Sequence, residues 1–88
     1  MVERDIEILN RLGLHARAAA KLVKTAGGFR SRVQVVKDGE IVDAKSILGL
    51  MMLAASQGTH LTLRCEGEDE DTAMAAVSGL FADRFQEE

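Results

Sequence analysis

The chain has 88 residues, a formal net charge of −3 and a single cysteine. Its length suits one small domain covering residues 1–88, and a lone cysteine cannot form an internal disulfide, which favours a reducing compartment. The first residues, MVERDIEI, lack the apolar stretch of a signal peptide, and no apolar run is long enough to span a bilayer. We therefore expect a cytoplasmic protein that does not insert directly into a membrane.

The charges are distributed unevenly along the sequence. Residues 11–37 hold seven of the 11 basic residues and no acidic one, whereas residues 66–88 hold eight of the 14 acidic residues and one basic residue. These charges could form ordinary solvated faces, or the basic segment could attract a phosphate or an acidic partner. Nucleic acid is not an expected partner, because the chain has no Trp or Tyr for base stacking and its acidic half repels a phosphate backbone.

Periodicity predicts strands and helices in the order βαββαβα. Alternating apolar residues predict strands, and apolar residues three to four positions apart predict helices. The predicted strands cover residues 2–9, 31–37, 40–43 and 61–66. The first predicted helix follows His15 and stops at Gly27-Gly28, and the other two cover 46–56 and 69–85. This order indicates an α+β fold in which helices pack on one face of a sheet.

Short-range signals mark several boundaries between these elements. Asp38-Gly39 is typical of a two-residue hairpin turn between two strands. Ser46 is well suited to cap the second helix, and either Asp69 or Asp71 is suited to cap the third. These residues predict where the chain turns and where each helix begins.

The second helix is apolar on every face. One face of this helix, which could pack into the core, carries Ile47, Leu50, Met51 and Ala54. Leu48 and Met52 then lie on other faces of the helix. An exposed apolar patch in a small domain usually marks a surface that binds partners, and methionine suits a surface that meets several of them. An oligomer contact or a fully wrapped helix is the alternative.

The segment GLHARAAAKLV, residues 13–23, places His15 directly before an alanine-rich helix. The start of a helix presents unpaired backbone N–H groups and the positive end of the dipole, so it suits an anion. A neutral imidazole there could accept a phosphoryl group, whose oxygens would meet the N–H groups of Ala16 and Arg17 and the guanidinium of Arg17. Alternatively, His15 is an ordinary surface residue near a helix cap.

Other combinations of reactive side chains give weaker signals. The two histidines and the cysteine are not spaced as metal ligands, so no metal site is predicted. His60 falls on the solvent side of the fourth predicted strand, whereas Cys65 falls on its core side. The sequence therefore concentrates the chemical interest on His15.

Three segments resemble the histidine-containing phosphocarrier (HPr) family of the phosphoenolpyruvate-dependent phosphotransferase system. They are GLHARAAAKLV, AKSILGLMMLAASQG and EGEDE, and the similarity extends over essentially the whole chain. The resemblance implies an open-faced β-sandwich, in which three helices cover one face of a four-stranded antiparallel sheet. One position departs from the family pattern: Ala18 stands where the family usually has proline, which adds a backbone donor and loosens the first turn.

The resemblance also implies how the chain would work. His15 would accept a phosphoryl group on Nδ1 from phosphorylated enzyme I and pass it to a IIA domain in sugar uptake, with Arg17 steadying the group. The protein would be a carrier without a cofactor and not an enzyme. Ser46 would be the target of a regulatory HPr kinase/phosphorylase. The expected partner-binding surface comprises Ala20, Lys24, Ile47, Leu48, Met51 and Met52.

Two alternatives remain open at this point. The chain could be a regulatory module that binds partners through the Ser46 helix without carrying phosphate, although such a module has no need of a nucleophile. It could also be a carrier of the nitrogen-related branch, which the C-terminal stretch AAVSGLFADRFQEE resembles somewhat.

Overall fold

A computed structural model describes residues 1–87 as a four-stranded antiparallel sheet with three α-helices. The elements follow the predicted order and the predicted open-faced sandwich. In chain order they are β1 (Val2–Glu7), α1 (Ala16–Gly27), β2 (Arg32–Lys37), β3 (Glu40–Asp43), α2 (Ile47–Met52), β4 (His60–Glu66) and α3 (Glu70–Ala82). Within residues 1–87, no helix is both long enough and apolar enough to cross a bilayer.

The sheet has the strand order β1-β4-β2-β3, with β4 and β2 at its centre. Alternate residues of the central strands point to the same face, so their apolar side chains lie beneath the helices. Val33 pairs with Cys65 and Val35 with Leu63, and all four side chains are fully buried. The core prediction for Cys65 is confirmed, as is the exposure of His60 at the start of β4.

The hairpin between β2 and β3 turns at the predicted Asp38-Gly39 pair. Asp38 has a φ of 49° and Gly39 a φ of 85°. Two successive positive φ values are what a type I′ turn requires, and this turn matches the twist of the paired strands. The hairpin prediction is confirmed.

Three predicted elements were too long: the first strand, the second helix, which ends at Met52 and not at residue 56, and the last helix. β1 ends at Glu7, not at residue 9, because Ile8 leaves the sheet to pair with the loop before β4: its N–H donates to Thr59 O (2.9 Å) and its carbonyl accepts from Gly58 N (2.8 Å). The last helix ends at Ala82, not at residue 85. The tail (residues 84–87) follows it, with three successive residues in the left-handed conformation.

Asp69, one of the two residues predicted to cap α3, occupies its N-cap position, but its side chain does not cap that helix. The carboxylate instead accepts hydrogen bonds from the Arg30 N–H (3.0 Å), the Ser31 N–H (2.9 Å) and the Ser31 hydroxyl. The Ser31 hydroxyl and the Arg30 amide are the main causes that lower the pKa of Asp69 to about 2. The cap residue therefore ties the start of α3 to the loop between α1 and β2.

Candidate functional site

The loop before α1 is held by one glycine and by several hydrogen bonds. Asn10 is buried, and its Nδ2 donates to Gly13 O at 2.6 Å. Gly13 has a φ of 67°, and a Cβ added there would meet the backbone of Ala55 and Ser56. The Leu14 N–H donates to Ala55 O at 2.8 Å. The loop thus lies directly against the chain that leaves α2, and this contact fixes where His15 enters the helix.

His15 is the N-cap residue of α1, with extended backbone angles and a side chain that makes no capping hydrogen bond. The first helical hydrogen bond runs from Ala19 N to His15 O (2.8 Å), so the amides of Ala16 to Ala18 precede it along the chain. No acidic residue lies in the first turn. Ala18, at the departure from the family pattern, is fully buried. The helix end therefore presents donors and positive potential beside the imidazole.

A basic groove lies next to His15. It has a volume of about 260 Å³ and is lined by Arg11, Leu12, Arg17, Lys21, Gln86 and Glu87. Three of these six residues are cationic, which supports the prediction of a basic field around the histidine. Leu12 is 63% exposed at the edge of the groove; an isolated leucine in a loop gave no signal of this in the sequence.

Glu87 is the site residue that sequence reasoning missed. Its Oε2 lies 2.5 Å from His15 Nε2, and its Oε1 accepts from Asn10 Nδ2 at 3.1 Å. Burial by itself raises the pKa of this carboxyl, but the hydrogen bonds from His15 and Asn10 and the positive charge nearby lower it overall. Glu87 is therefore a carboxylate at neutral pH, placed 72 residues away from its histidine partner.

The tail reaches His15 through a specific conformation. Arg84, Phe85 and Gln86 have φ values of 53°, 55° and 62°. Phe85 is fully buried and packs edge-to-face on Phe81, with ring centroids 4.8 Å apart. Lys21 Nζ donates to Phe85 O at 2.6 Å. No glycine or asparagine marks this left-handed run, so the sequence carried no turn signal for it.

The outer surfaces of α1 and α2 adjoin, because the two helices pack against each other. Ala20 and Lys24 are exposed on the same side of α1 as Ala16 and Arg17. These residues and the adjoining helix form a surface that begins at His15.

The predicted core face of α2 was wrong for three of its four residues. Leu50 is fully buried, but Ile47 and Met51 are 44% and 45% exposed, and Ala54 is exposed as well. The helix ends at Met52 and Ala54 takes a left-handed φ of 51°, so Leu53 and not Ala54 joins Leu50 in the core. The α2 patch, on the outer side, comprises Ile47, Leu48, Met51 and Met52.

Ser46 caps α2 as predicted. Its Oγ accepts a hydrogen bond from Gly49 N at 3.1 Å, and its side chain is partly exposed at the border of the α2 patch. Gly49 is small enough to bring this amide close, since an added Cβ would lie 3.3 Å from the serine oxygen. Ser46 therefore has a structural role that is independent of any modification.

Comparison with known proteins agrees with this geometry. The family model for the PTS HPr component phosphorylation site matches residues 2–83. Phosphocarrier protein HPr of Xylella fastidiosa (strain Temecula1) is 53% identical over 88 residues, covering 100% of this chain and 99% of its own. HPr of Cupriavidus necator is 54% identical over 87 residues, covering 99% and 98%.

Solved structures give the same result. The crystal structure of HPr-C-His from Thermoanaerobacter tengcongensis superposes with a TM-score of 0.96 at 49% identity, covering 100% of this chain and 99% of that one. Sequence and fold both match over nearly the whole chain, so the comparison includes every helix and strand described above. The chain belongs to the HPr phosphocarrier family of the phosphotransferase system.

Proposed function

We propose that this chain carries phosphoryl groups on His15, accepting them from phosphorylated enzyme I and passing them to IIA domains. The observation that carries the proposal is the position of His15: it caps the start of α1, where the amides of Ala16 and Arg17 precede the first helical hydrogen bond. An anion is favoured at such a helix end. A pure binding module would gain nothing from a nucleophile at this point.

In the transfer step, the His15 imidazole attacks the phosphoryl group that enzyme I carries. The lone pair on Nδ1 attacks phosphorus, the Nδ1–P bond forms, and the bond from phosphorus to enzyme I breaks with its electron pair leaving on enzyme I. The phosphoryl oxygens then accept hydrogen bonds from the amides of Ala16 and Arg17, and the Arg17 guanidinium adds charge-assisted bonds. Transfer to a IIA domain reverses the same steps.

The docking surface for both partners is the exposed side of α1 together with the α2 patch. Ala20 and Lys24 extend it from the phosphoryl site along α1. Leu48 and Met52 are 70% and 69% exposed, and an exposed apolar patch of this kind is typical of a surface that binds a partner. Apolar contact gives affinity, and the basic groove steers partners of negative charge towards His15.

Ser46 offers a place for regulation by an HPr kinase/phosphorylase. A phosphate on its Oγ would add a charge of about −1.5 to −2 beside the α2 patch. Burying that charge in an interface costs free energy, and it repels an acidic partner. We therefore expect phosphorylation of Ser46 to reduce docking with enzyme I.

The proposal is tested by incubation with phosphoenolpyruvate and enzyme I, followed by mass spectrometry. One added phosphoryl group, labile to acid and stable to base, is expected. His15→Ala should abolish it, whereas the matched variant His60→Ala, at the only other histidine, should leave it unchanged. Equal phosphorylation of the His15→Ala variant would disprove the assignment. Enzymes I of the sugar-uptake and nitrogen-related branches, compared in parallel, identify the branch by the faster rate.

A further inference from the structure

We propose that Glu87 is a positioning residue for phosphoryl transfer: its carboxylate holds the His15 ring so that Nε2 carries the proton and Nδ1 faces the incoming phosphorus. The proposal rests on the proposed function of His15 and adds a residue from the other end of the chain. It extends the site from α1 to the tail.

The hydrogen-bond geometry determines which ring nitrogen is free. Glu87 Oε2 lies 2.5 Å from His15 Nε2, and an ionised carboxylate can only accept. The proton of a neutral imidazole must then be on Nε2, which leaves the lone pair on Nδ1. The contact therefore selects the same nitrogen that the proposed transfer step uses.

The carboxylate is itself fixed from two sides. Its second oxygen accepts from Asn10 Nδ2 at 3.1 Å, and the same amide nitrogen donates to Gly13 O at 2.6 Å. The Glu87 side chain is 13% exposed and that of His15 is 23% exposed, so the bond is partly shielded from water. Asn10 thus links the loop before α1 to the carboxylate that orients the histidine.

The tail delivers Glu87 to this position as a consequence of its anchor. Phe85 is buried against Phe81, and Lys21 Nζ holds the Phe85 carbonyl at 2.6 Å. Because these contacts fix the residue two positions earlier, little chain entropy is lost when Glu87 meets His15. The three left-handed residues of the tail turn the chain towards the groove.

The negative charge of Glu87 also suits the change that occurs on the ring. When Nδ1 bonds to phosphorus while Nε2 keeps its proton, the imidazole acquires a positive charge. A carboxylate hydrogen-bonded to the opposite nitrogen stabilises that charge, as the acid of a Ser-His-Asp triad does for its histidine. The same carboxylate repels the phosphoryl oxygens, but it is bonded to the far side of the ring from Nδ1.

Two substitutions at residue 87 separate orientation from charge. Glu87→Gln keeps an oxygen that accepts from Nε2 but removes the charge, whereas Glu87→Ala removes both. Glu66→Gln is the matched control, since it also deletes one negative charge. Glu66 is the last residue of β4, whereas the loop that leads to His15 packs against the chain before β4. Each variant is compared with the parent by thermal melting, by ¹⁵N chemical shifts of the neutral His15 ring and by the single-turnover rate of phosphorylation from enzyme I.

In the parent, we expect the ring shifts to report a proton on Nε2 alone. Glu87→Ala should populate both tautomers and slow phosphorylation about tenfold, the loss expected for one charge-assisted hydrogen bond in a partly exposed site. Glu87→Gln should keep the tautomer and lose less rate. Glu66→Gln should change neither readout, and all variants should remain folded because Phe85 keeps the tail anchored.

Three results would overturn the proposal. Unchanged tautomer populations in Glu87→Ala would show that the carboxylate does not orient the ring. An unchanged rate would show that orientation is not needed, and a faster rate would show that Glu87 obstructs the groove. If the parent is not phosphorylated at all, the proposed function fails instead, and the ring shifts, which need no enzyme I, still decide whether Glu87 fixes the tautomer.

Discussion

Gly13→Ala tests whether the close approach of two backbone segments positions His15. Gly13 has a φ of 67°, and an added Cβ would lie 2.8 Å from Ser56 Cα and closer still to the Ala55 carbonyl oxygen. Carbon atoms in contact prefer a separation of about 3.5–4.0 Å, so the segments must move apart by at least about 0.7 Å. Such a shift stretches the hydrogen bond from Leu14 N to Ala55 O, which is 2.8 Å long.

The free-energy cost has two parts that a control can separate. Alanine in the left-handed region costs about 1–2 kcal/mol at either site. Gly58→Ala carries only this part, because Gly58 has a φ of 89° and an added Cβ would have nothing within 4 Å. Gly13→Ala adds about 2 kcal/mol for the displaced backbone and the weakened hydrogen bond. For a domain of this size, that difference lowers the melting temperature by a further 8–16 °C or so.

The assay is denaturant and thermal unfolding of both variants beside the parent, with the rate of His15 phosphorylation measured below the transition. Gly13→Ala should be clearly less stable than Gly58→Ala and should transfer more slowly, because the loop that leads into α1 has moved. Equal stability losses in the two variants would refute the close-approach argument. A normal transfer rate in Gly13→Ala would show that the contact is not needed to place His15.

Three further predictions concern single side chains. Arg17→Ala should slow His15 phosphorylation about tenfold. It should change the free energy of unfolding by only a few tenths of a kcal/mol, because a cation in the first helical turn is unfavourable for the dipole. A large loss of stability with normal transfer would contradict this prediction. Ser46→Asp should keep the melting temperature, since Asp also caps helices, and should slow phosphorylation by enzyme I; an unchanged rate would count against electrostatic blocking. Asp69 has a folded pKa of about 2, below its ordinary value of 3.8, so its stabilisation is complete above pH 4 and is lost as pH falls towards 2. In acid titrations, the Asp69→Asn variant should therefore lose less stability over that range than the parent. An identical profile in the two proteins would exclude this carboxylate as a cause.

Sequence reasoning succeeded where the structure depends on neighbouring residues. The Asp38-Gly39 turn and the Ser46 cap each require only a few adjacent positions, and both were predicted correctly. His15 was placed at the start of α1 for the same reason, since a helix start is a local feature.

It failed where distant segments decide the outcome. The face of α2 that enters the core depends on how the chain leaves the helix at Ala54, which no periodicity encodes. Glu87 reaches His15 only because Phe85 is buried against α3 and non-glycine residues adopt left-handed angles. The carboxylate of Asp69 likewise binds the loop at Ser31 in place of its own helix. Each of these contacts is a tertiary preference that overrides a local one.

The buried position of Cys65 makes its reaction with a thiol reagent a measure of how often the core opens. Burial raises the pKa of its thiol, and the negative charges of Glu70 and Asp69 raise it further, so the reactive thiolate is scarce in the folded chain. Cys65 lies on β4, paired with Val2 of β1 and Val33 of β2, and its side chain is fully buried on the face that the helices cover. A thiol reagent can reach the sulfur only after the helices and the sheet separate around this part of the core. Alkylation kinetics at this single cysteine therefore measure opening of the core between the sheet and the helices, and they are insensitive to fraying of the tail beside His15.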